Sequence, residues 1–312
     1  MPRLRLLLVS WLVLAAAGAV FAQFFRDEPP GSSYSRLEGG GVVNEDTVRT
    51  ARETLSHSIT LPAWTNPSGF EQDVFTFARI IFKSRPDLAE GIGRGRRLGW
   101  WVDYPDADLN LSYRLRQMTS IAVDPDARVL KLTNPDLFKF PLIFMEHIEG
   151  MMLNEDETAL LRRYLLAGGA LFVTDFWGTA AWEHFRTEMK TVLPEHDWIE
   201  LTTDHPLFSS IFPLQVPMHR LRVPTIQFWN PDSDPNDPQS ELQYRDRGYG
   251  SLDMRVYAML DDHQRIMAIA VHNSDISDGW ERESENETYF KQFSESRAYP
   301  LAINLIFHLM TH

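Results

Sequence analysis

Apolar and polar positions along this chain predict helices and strands in turn, most clearly over residues 154–178, NEDETALLRRYLLAGGALFVTDFWG. Apolar residues recur there at helical spacing, and Asn154 with Glu157 three residues later makes a capping-box pattern that begins a helix. A glycine pair ends the helix, and the apolar run 170–174 is typical of a strand covered on both faces. Asp175 follows at the carboxyl end of that strand, where open α/β sheets bind ligands.

The rest of the chain repeats these patterns and predicts one α/β domain over residues 70–312. Further strands are predicted at 75–82, 100–102, 129–132, 141–146 and 199–201, further helices at 109–119, 182–192 and 299–310, and a β-hairpin at 255–260 and 266–271. We expect a mostly parallel sheet flanked by helices, with strands 141–146 and 170–174 paired in parallel, and then a C-terminal β-hairpin and helix. Residues 23–69 are rich in Gly, Pro, Ser and charge, which predicts a flexible segment with a short helix near 45–55.

Residues 1–22 have the pattern of an export signal. Arg3 and Arg5 make a basic start, an apolar run follows, and small residues precede Ala22. We therefore predict cleavage after Ala22 and a periplasmic or secreted protein. Two alternatives stay open. Residues 6–22 could remain as an inner-membrane anchor, because a 17-residue apolar run is the short limit for spanning, or they could form a buried helix.

The composition excludes several classes of function. The 312 residues carry 30 basic and 43 acidic side chains, and loss of residues 1–22 removes two arginines and changes the formal charge from −13 to −15. This acidic excess disfavours nucleic acid and anionic membranes as partners. The chain has no cysteine, which excludes thiol nucleophiles, disulfides, thiolate zinc sites and a lipid-modified cysteine. It also contains no G-x-S-x-G elbow, no P-loop and no H-E-x-x-H motif.

Polar side chains follow several of the predicted strands. The candidate ligand-binding residues are Asp103, Asp106, Glu146, Asp175, His272, Asn273 and Asp275. Because the strand exits of a doubly wound sheet converge on one edge, we expect Asp103, Asp175 and Asp275 to lie near one another. Crowded carboxylates repel, so at least one should have a raised pKa, and Asp175→Asn should relieve the repulsion. Arg97 and His272 are the candidate hydrogen-bond donors nearest in sequence.

Three interpretations of this cluster stay open. Carboxylates with one or two histidines hold a divalent cation through oxygen ligands, or act as an acid–base pair when burial separates their pKa values. Asp and Asn at strand ends also close turns and cap helices, as Asp108 is predicted to do for the next helix. No metal signature is recognised and no cofactor is predicted, with a divalent cation as the open alternative. Nearby tryptophans are either core residues or the aromatic walls of a sugar groove: Trp100, Trp101, Trp177 and Trp280.

Four stretches of the sequence carry a family resemblance. They are WVDYPDADLN at 101–110, LRRYLLAGGALFVTDFWG at 161–178, NSD at 273–275 with WE at 280–281, and NLIFHLMTH at 304–312. Together they resemble the bacterial DUF4159 family over about residues 75–312. The resemblance implies a flavodoxin-like three-layer sandwich, similar to class I glutamine amidotransferases and ThuA-like proteins. The amidotransferase cysteine would fall at Asp175-Phe176, so glutaminase chemistry by a thiolate is excluded in this cysteine-free chain.

The leading functional expectation is an exported, non-catalytic binding or assembly module of the cell envelope. The resemblance implies partners such as MoxR-type ATPases and von Willebrand factor A proteins, and an envelope glycan is an alternative ligand. The rival expectation is a carboxylate- or metal-dependent hydrolase that acts on an envelope glycan or peptide through Asp175 and the nearby acids. Whether the chain is an enzyme stays open, because the fold by itself assigns no reaction.

Overall fold

The computed structural model describes residues 33–37, 41–56, 61–69, 73–85, 99–244 and 247–312. Its strands are β1 (Tyr34–Arg36), β2 (Val42–Asn44), β3 (Ala78–Ile81), β4 (Lys83–Ser84), β5 (Arg128–Lys131), β6 (Leu142–Glu146), β7 (Met151–Met152), β8 (Ala170–Thr174), β9 (Trp198–Leu201), β10 (Arg255–Leu260) and β11 (Ile266–His272). Its α-helices are α1 (Asp106–Met118), α2 (Glu155–Leu166), α3 (Gly178–Val192), α4 (Asp278–Glu281), α5 (Glu287–Tyr289) and α6 (Tyr299–Thr311), and a π-helical segment (Phe290–Ala298) joins α5 to α6.

A seven-stranded sheet lies at the centre, in the order β5-β3-β6-β8-β11-β10-β9. The strands from β5 to β11 in this order pair in parallel, and β10 and β9 extend the sheet in antiparallel fashion. Ile143 lies opposite Leu171, which confirms the predicted parallel pairing of β6 with β8. The β10–β11 hairpin and the C-terminal helix also form as predicted. The parallel strands follow the flavodoxin order 2-1-3-4-5, and the predicted α/β fold class is confirmed.

The helix α2 and the strand β8 form as their sequence pattern predicts. The Asn154 side chain accepts the N–H of Glu157 at 2.9 Å, and the Glu157 carboxylate accepts the N–H of Asn154 at 3.0 Å. Gly168 has a φ of 107°, which glycine adopts without strain, and it ends the helix. A Cβ on Gly169 would lie 2.3 Å from the ring of Tyr164. The glycine pair therefore lets the chain turn closely over that tyrosine into β8.

A row of aromatic rings fills one face of the sheet. The ring of Phe144 lies 5.0 Å from that of Phe77, 5.4 Å from that of Phe172 and 6.0 Å from that of Trp280 in α4. Such ring pairs contribute about 0.5–1.5 kcal/mol beyond their buried area. Helix α1 packs against α4 and α6, whereas α2 packs against α3, β8 and β11. The helices thus cover the sheet and leave its carboxyl edge as the place where polar groups meet.

The segment that leads into α1 differs from the prediction. Residues 100–102 form a buried turn instead of a strand, because the carbonyl oxygens of Trp100 and Val102 accept hydrogen bonds from the buried Arg79. Helix α1 begins at Asp106, so Asp108 lies inside its first turn and is not its cap. The buried arginine outcompetes the local strand and capping patterns, because its donors need buried partners.

The segment predicted to be flexible contributes contacts to the domain. Within residues 41–56, Ala51 is fully buried in a short 3-10 helix (Ala51–Glu53), and Arg52 Nη2 donates to the carbonyl oxygen of Pro125 at 2.8 Å. The predicted signal or anchor, residues 1–22, and the candidate donor Arg97 lie outside the described residues. Within the part of the chain that is described, no helix is both long enough and apolar enough to span a bilayer.

Candidate functional site

Four residues at the carboxyl edge of the sheet adopt left-handed backbone conformations without being glycine. The φ angles of Asp103, His147, Asp175 and Asn273 are 57°, 51°, 47° and 60°. The last three directly follow the parallel strands β6, β8 and β11. Such conformations cost about 1–3 kcal/mol each and cluster at functional sites, although Asp and Asn tolerate them better than most residues. We therefore take this edge as the candidate site.

Arg79, on β3, lies buried beneath this edge and contacts two carboxylates. Its Nε donates to both oxygens of Asp108, at 2.9 and 3.0 Å, and its Nη1 donates to Glu146. We call Arg79, Asp108 and Glu146 the arginine cluster. Burial raises the pKa of Glu146 to about 7, against the lowering effect of Arg79. The cluster lies between β3 and β6, where the strand order reverses and where sheets of this type bind ligands.

Asp175 is held by positively charged partners. Its Oδ2 pairs with His147 Nε2, and its Oδ1 lies 3.5 Å from Arg247 Nη1 and accepts the indole N–H of Trp177 at 2.5 Å. Burial acts to raise the pKa of Asp175, but these three partners outweigh burial and hold the pKa below its usual range. Burial acts to lower the pKa of His147, but Asp175 and Glu149 outweigh it and raise the pKa to about 10. Asp175 is therefore a paired carboxylate, although its charge also raises the pKa of Asp275. In Asp175→Asn we now expect the loss of these pairs to outweigh the relief of repulsion.

Three other carboxylates meet close by, and we call Asp103, Asp275 and Asp278 the acidic triad. One oxygen of each lies within 4.8 Å of the corresponding oxygens of the other two, and the residues are 3%, 2% and 1% exposed. Asp275 Oδ2 accepts the hydroxyl of Thr225 at 2.7 Å, and Asp278 Oδ2 accepts the N–H of Ile226 at 2.7 Å. In contrast, Asp103 Oδ2 and Asp278 Oδ1 are buried and accept no hydrogen bond within the described structure.

The environment of the acidic triad is strongly negative. Burial raises the pKa of Asp103 well above its usual range, and Glu281 and Glu146 raise it further, as do the other two members of the triad. Burial and the neighbouring carboxylate of Asp175 raise the pKa of Asp275 to about 6, against the lowering effect of Arg247. Buried carboxylates of this kind must take up a proton, a cation or hydrogen-bond donors. The triad therefore has the chemistry of a proton-holding or cation-binding site.

The other predicted site residues make contacts outside the acidic triad. Asp106, in the first turn of α1, accepts the hydroxyl of Ser56 at 2.5 Å. The side chain of Asn273 donates to two loop carbonyl oxygens, each at 2.8 Å, and so fastens that loop to the end of β11. His272 Nε2 lies 3.0 Å from the carbonyl oxygen of Gly178, and burial lowers the pKa of His272 to about 4. His272 is thus a neutral imidazole in contact with backbone, and not the predicted donor to the carboxylates.

The tryptophans near the strand exits belong to the core. Trp100 and Trp280 are fully buried, and Trp101 and Trp177 are 6% and 5% exposed. The ring of Trp177 is covered by the guanidinium of Arg247, which lies 4.8 Å from its centroid. Of the two interpretations of these rings, the structure supports the core and not the walls of a sugar groove.

Several residues of this edge were absent from the predicted site, and the sequence carries different signals for them. Arg79 is a lone charge inside an apolar strand, which by itself indicates a buried partner. His147 and Asp278 are recognised as polar residues that follow predicted strands, close to Glu146 and Asp275, but they are not among the candidate ligand-binding residues chosen from the sequence. Arg247 lies in a loop without any pattern, and only the tertiary structure brings it to Asp175 and Asp275.

Comparison with known proteins places most of this edge inside one family. A family model described as "Domain of unknown function (DUF4159)" matches residues 91–310, which confirms the resemblance found in the sequence. The matched range contains the whole acidic triad and the Asp175 corner, whereas Arg79 lies before it. A search of curated proteins finds no match to this chain.

Proposed function

We propose that this chain, which belongs to the DUF4159 family, is a non-catalytic binding or assembly module exported to the bacterial envelope. Its flavodoxin-like sandwich hosts many unrelated functions, so the fold alone assigns no reaction. The family resemblance implies a fold similar to that of class I glutamine amidotransferases, whose nucleophilic cysteine this chain lacks. The proposal therefore depends on what occupies the corner where that cysteine would fall.

The observation that carries the proposal is the pairing of Asp175 at this corner. Its carboxylate is 1% exposed, pairs with His147 and lies 3.5 Å from Arg247. A nucleophile or general base must offer a lone pair to substrate at hydrogen-bonding range. A buried carboxylate that two cations hold, with its pKa below the usual range, is a weak base with no open approach. Such a corner supports a rigid edge that binds a ligand better than it supports turnover.

Export and partners are further parts of the proposal. The basic, apolar and small residues of the N-terminus support cleavage after Ala22, and the family resemblance supports MoxR-type ATPases and von Willebrand factor A proteins as partners. The formal charge of −15 after cleavage disfavours nucleic acid. N-terminal sequencing of the protein from the envelope fraction should give Gln23. A protein that begins at Met1 and is extracted only by detergent would instead support an anchor through residues 6–22.

The module and the enzyme are separated by one pair of measurements on the purified full chain. Isolated cell-wall peptidoglycan is incubated with the chain, and released fragments are followed by mass spectrometry. We expect no release above the heat-inactivated control, and we expect crosslinking in native envelopes to recover a von Willebrand factor A or MoxR-type protein. Fragment release that Asp175→Asn abolishes would overturn the proposal.

A hydrolase is the second candidate, and one specific observation favours it. Within the described residues Asp103 Oδ2 is buried without a hydrogen bond, and burial with neighbouring acids raises the pKa of Asp103 well above its usual range. A carboxylic acid whose pKa is raised by burial is suited to donate a proton to a leaving group. Fragment release that persists in Asp175→Asn and is lost in Asp103→Asn would replace the binding module with this candidate.

A further inference from the structure

We propose that Asp103, Asp275 and Asp278 hold a hard divalent cation at the carboxyl edge of the sheet. The inference rests on the proposed function, because it names the ligand class of the edge that the module would use. It extends the predicted site by Asp278 and does not include Asp175, which pairs with His147 and shares Arg247 with Asp275. A cation here would be bound by oxygen atoms from the turn before α1, from the segment between β11 and α4, and from the first residue of α4.

The spacing of the three carboxylates suits such an ion. One oxygen of each lies within 4.8 Å of those of the other two. Ca²⁺ binds oxygen at about 2.3–2.6 Å, so two ligand oxygens on opposite sides of the ion lie about 5 Å apart and adjacent ones lie closer. Mg²⁺, with bonds of about 2.0–2.1 Å, would require a slightly tighter arrangement. The triad can therefore supply three ligands at once with little movement.

Two of the ligands are already oriented for this role. Asp275 is fixed by the hydroxyl of Thr225 and by the N–H of Asp278, the latter at 3.1 Å from Asp275 Oδ1. Asp278 Oδ2 is fixed by the N–H of Ile226, and Asp278 Oδ1 accepts no hydrogen bond from the residues that the structure describes. These neighbours act as outer-shell partners that hold ligand oxygens in place.

The observation that points to a ligand is the third carboxylate. Asp103 is 3% exposed, one of its carboxylate oxygens lies within 4.8 Å of oxygens of the other two acids, and its Oδ2 accepts no hydrogen bond within the described structure. A buried charged oxygen left without a partner is costly, and native structures provide a partner for nearly all such atoms. After burial, the strongest influences on the pKa of Asp103 come from other acids, namely Glu281, Glu146, Asp278 and Asp275. A divalent cation among the three oxygens would supply the missing positive charge.

The donor set also selects the kind of ion. The triad offers only carboxylate oxygens, and the chain has no cysteine. Oxygen ligands suit Ca²⁺, Mg²⁺ and Mn²⁺, whereas Zn²⁺ and Cu²⁺ favour imidazole and thiolate nitrogen and sulfur. We therefore expect one of the three hard ions to bind in preference to Zn²⁺.

The test is a titration of the EDTA-treated full chain with CaCl₂, MgCl₂, MnCl₂ or ZnCl₂. Isothermal calorimetry should give one saturable site for at least one hard ion, and the unfolding temperature should rise with the concentration of that ion. Asp103→Asn should weaken binding by at least about tenfold, because loss of an outer partner alone costs 10–100-fold. Asn tolerates the left-handed backbone at this position, so the variant should fold. Asp261→Asn, a partly buried acid in the turn between β10 and β11 at the opposite end of β11 from the triad, is the control and should bind within about twofold of wild type.

Each contrary outcome overturns the inference. Wild-type chain that binds none of the three hard ions, or binds Zn²⁺ alone, shows that the triad is not a hard-cation site. Unchanged affinity in Asp103→Asn, or in Asp275→Asn if the first variant is unfolded by circular dichroism, shows that the ion binds elsewhere. These readouts are independent of peptidoglycan release. Metal binding together with release would overturn the non-catalytic module and leave the cation site standing.

Discussion

The arginine cluster and the acidic triad lie at the same edge of the sheet and are equally buried, but their charges are balanced differently. In the arginine cluster, Arg79 donates to both oxygens of Asp108 and also to Glu146. Beside the acidic triad, Arg282 lies 3.6 Å from Asp278. Arg282 is also shared with a closer carboxylate, Glu281, at 2.6 Å. The arginine cluster therefore contains its own cation, whereas the cations beside the acidic triad also pair with carboxylates outside it.

This difference shows that the role of a buried acid at a strand exit depends on the charges around it. A fully hydrogen-bonded buried ion pair contributes little net stability, yet removal of one partner is strongly destabilising. Such a pair behaves as a structural unit. Acids without a partner instead have raised pKa values and favour uptake of a proton or a cation. The two groups should therefore respond to substitution with opposite signs.

Removal of Arg79 should have the largest effect on stability. Arg79→Met leaves Asp108 and Glu146 buried without a partner, and we expect the free energy of unfolding to fall by about 3–5 kcal/mol. Guanidinium denaturation followed by fluorescence measures it. Arg162→Met is the matched control, because its pair with Glu195 is 38% and 43% exposed and the loss there should be much smaller. Equal losses in the two variants would contradict the structural role of the cluster.

Asp175→Asn should have the next largest effect. The change leaves the buried His147 without its counter-charge, and Arg247 without one of its two carboxylates, so we expect a loss of about 2–3 kcal/mol in the free energy of unfolding. Thermal unfolding at pH 7 checks this. Asp197→Asn, which removes an exposed pair with Lys190, should be nearly silent. If Asp175→Asn were more stable than the wild type, repulsion from nearby acids would outweigh the pairing of Asp175.

The His147–Asp175 pair should also give a pH dependence of stability. The pKa of His147 is raised to about 10 in the folded chain, where Asp175, Glu149 and Glu146 face it, whereas an unfolded histidine titrates near 6.5. Its contribution is therefore fully present below about pH 6.5 and is lost as the pH rises towards 10. We expect the free energy of unfolding, measured in urea, to fall across this window by no more than it falls in Asp175→Asn. A slope that persists unchanged in His147→Gln would contradict this origin.

The smallest expected effect has the opposite sign. Without divalent cation, Asp278→Asn should stabilise the chain by about 0.5–1 kcal/mol, because it removes one of the crowded charges while an amide oxygen can still accept the N–H of Ile226. Denaturation in EDTA checks the sign. The gain should shrink or reverse when a binding cation is present. A loss in EDTA similar to that of Asp175→Asn would show that the triad is already balanced.

Much of the fold follows from local patterns in the sequence. The capping box of Asn154 and Glu157, the glycine pair and the apolar run of β8 are all short-range features, and they formed as predicted. The prediction of a strand at 100–102 was wrong, because the carbonyl oxygens of Trp100 and Val102 accept hydrogen bonds from Arg79, which is 21 and 23 residues away in sequence. Local periodicity carries no information about such a distant competitor.

The candidate site divides in the same way. The local pattern places Asp103, Asp175 and Asp275 after apolar runs, which are the segments that the fold excludes from solvent. Which of these acids are paired depends on contacts that form only in the folded chain. Arg79 reaches Asp108 and Glu146 across 29 and 67 residues of chain, and Arg247 reaches the Asp175 corner from a loop. The charge state of a buried acid depends on the groups that fold around it, and those contacts do not exist until the chain is packed.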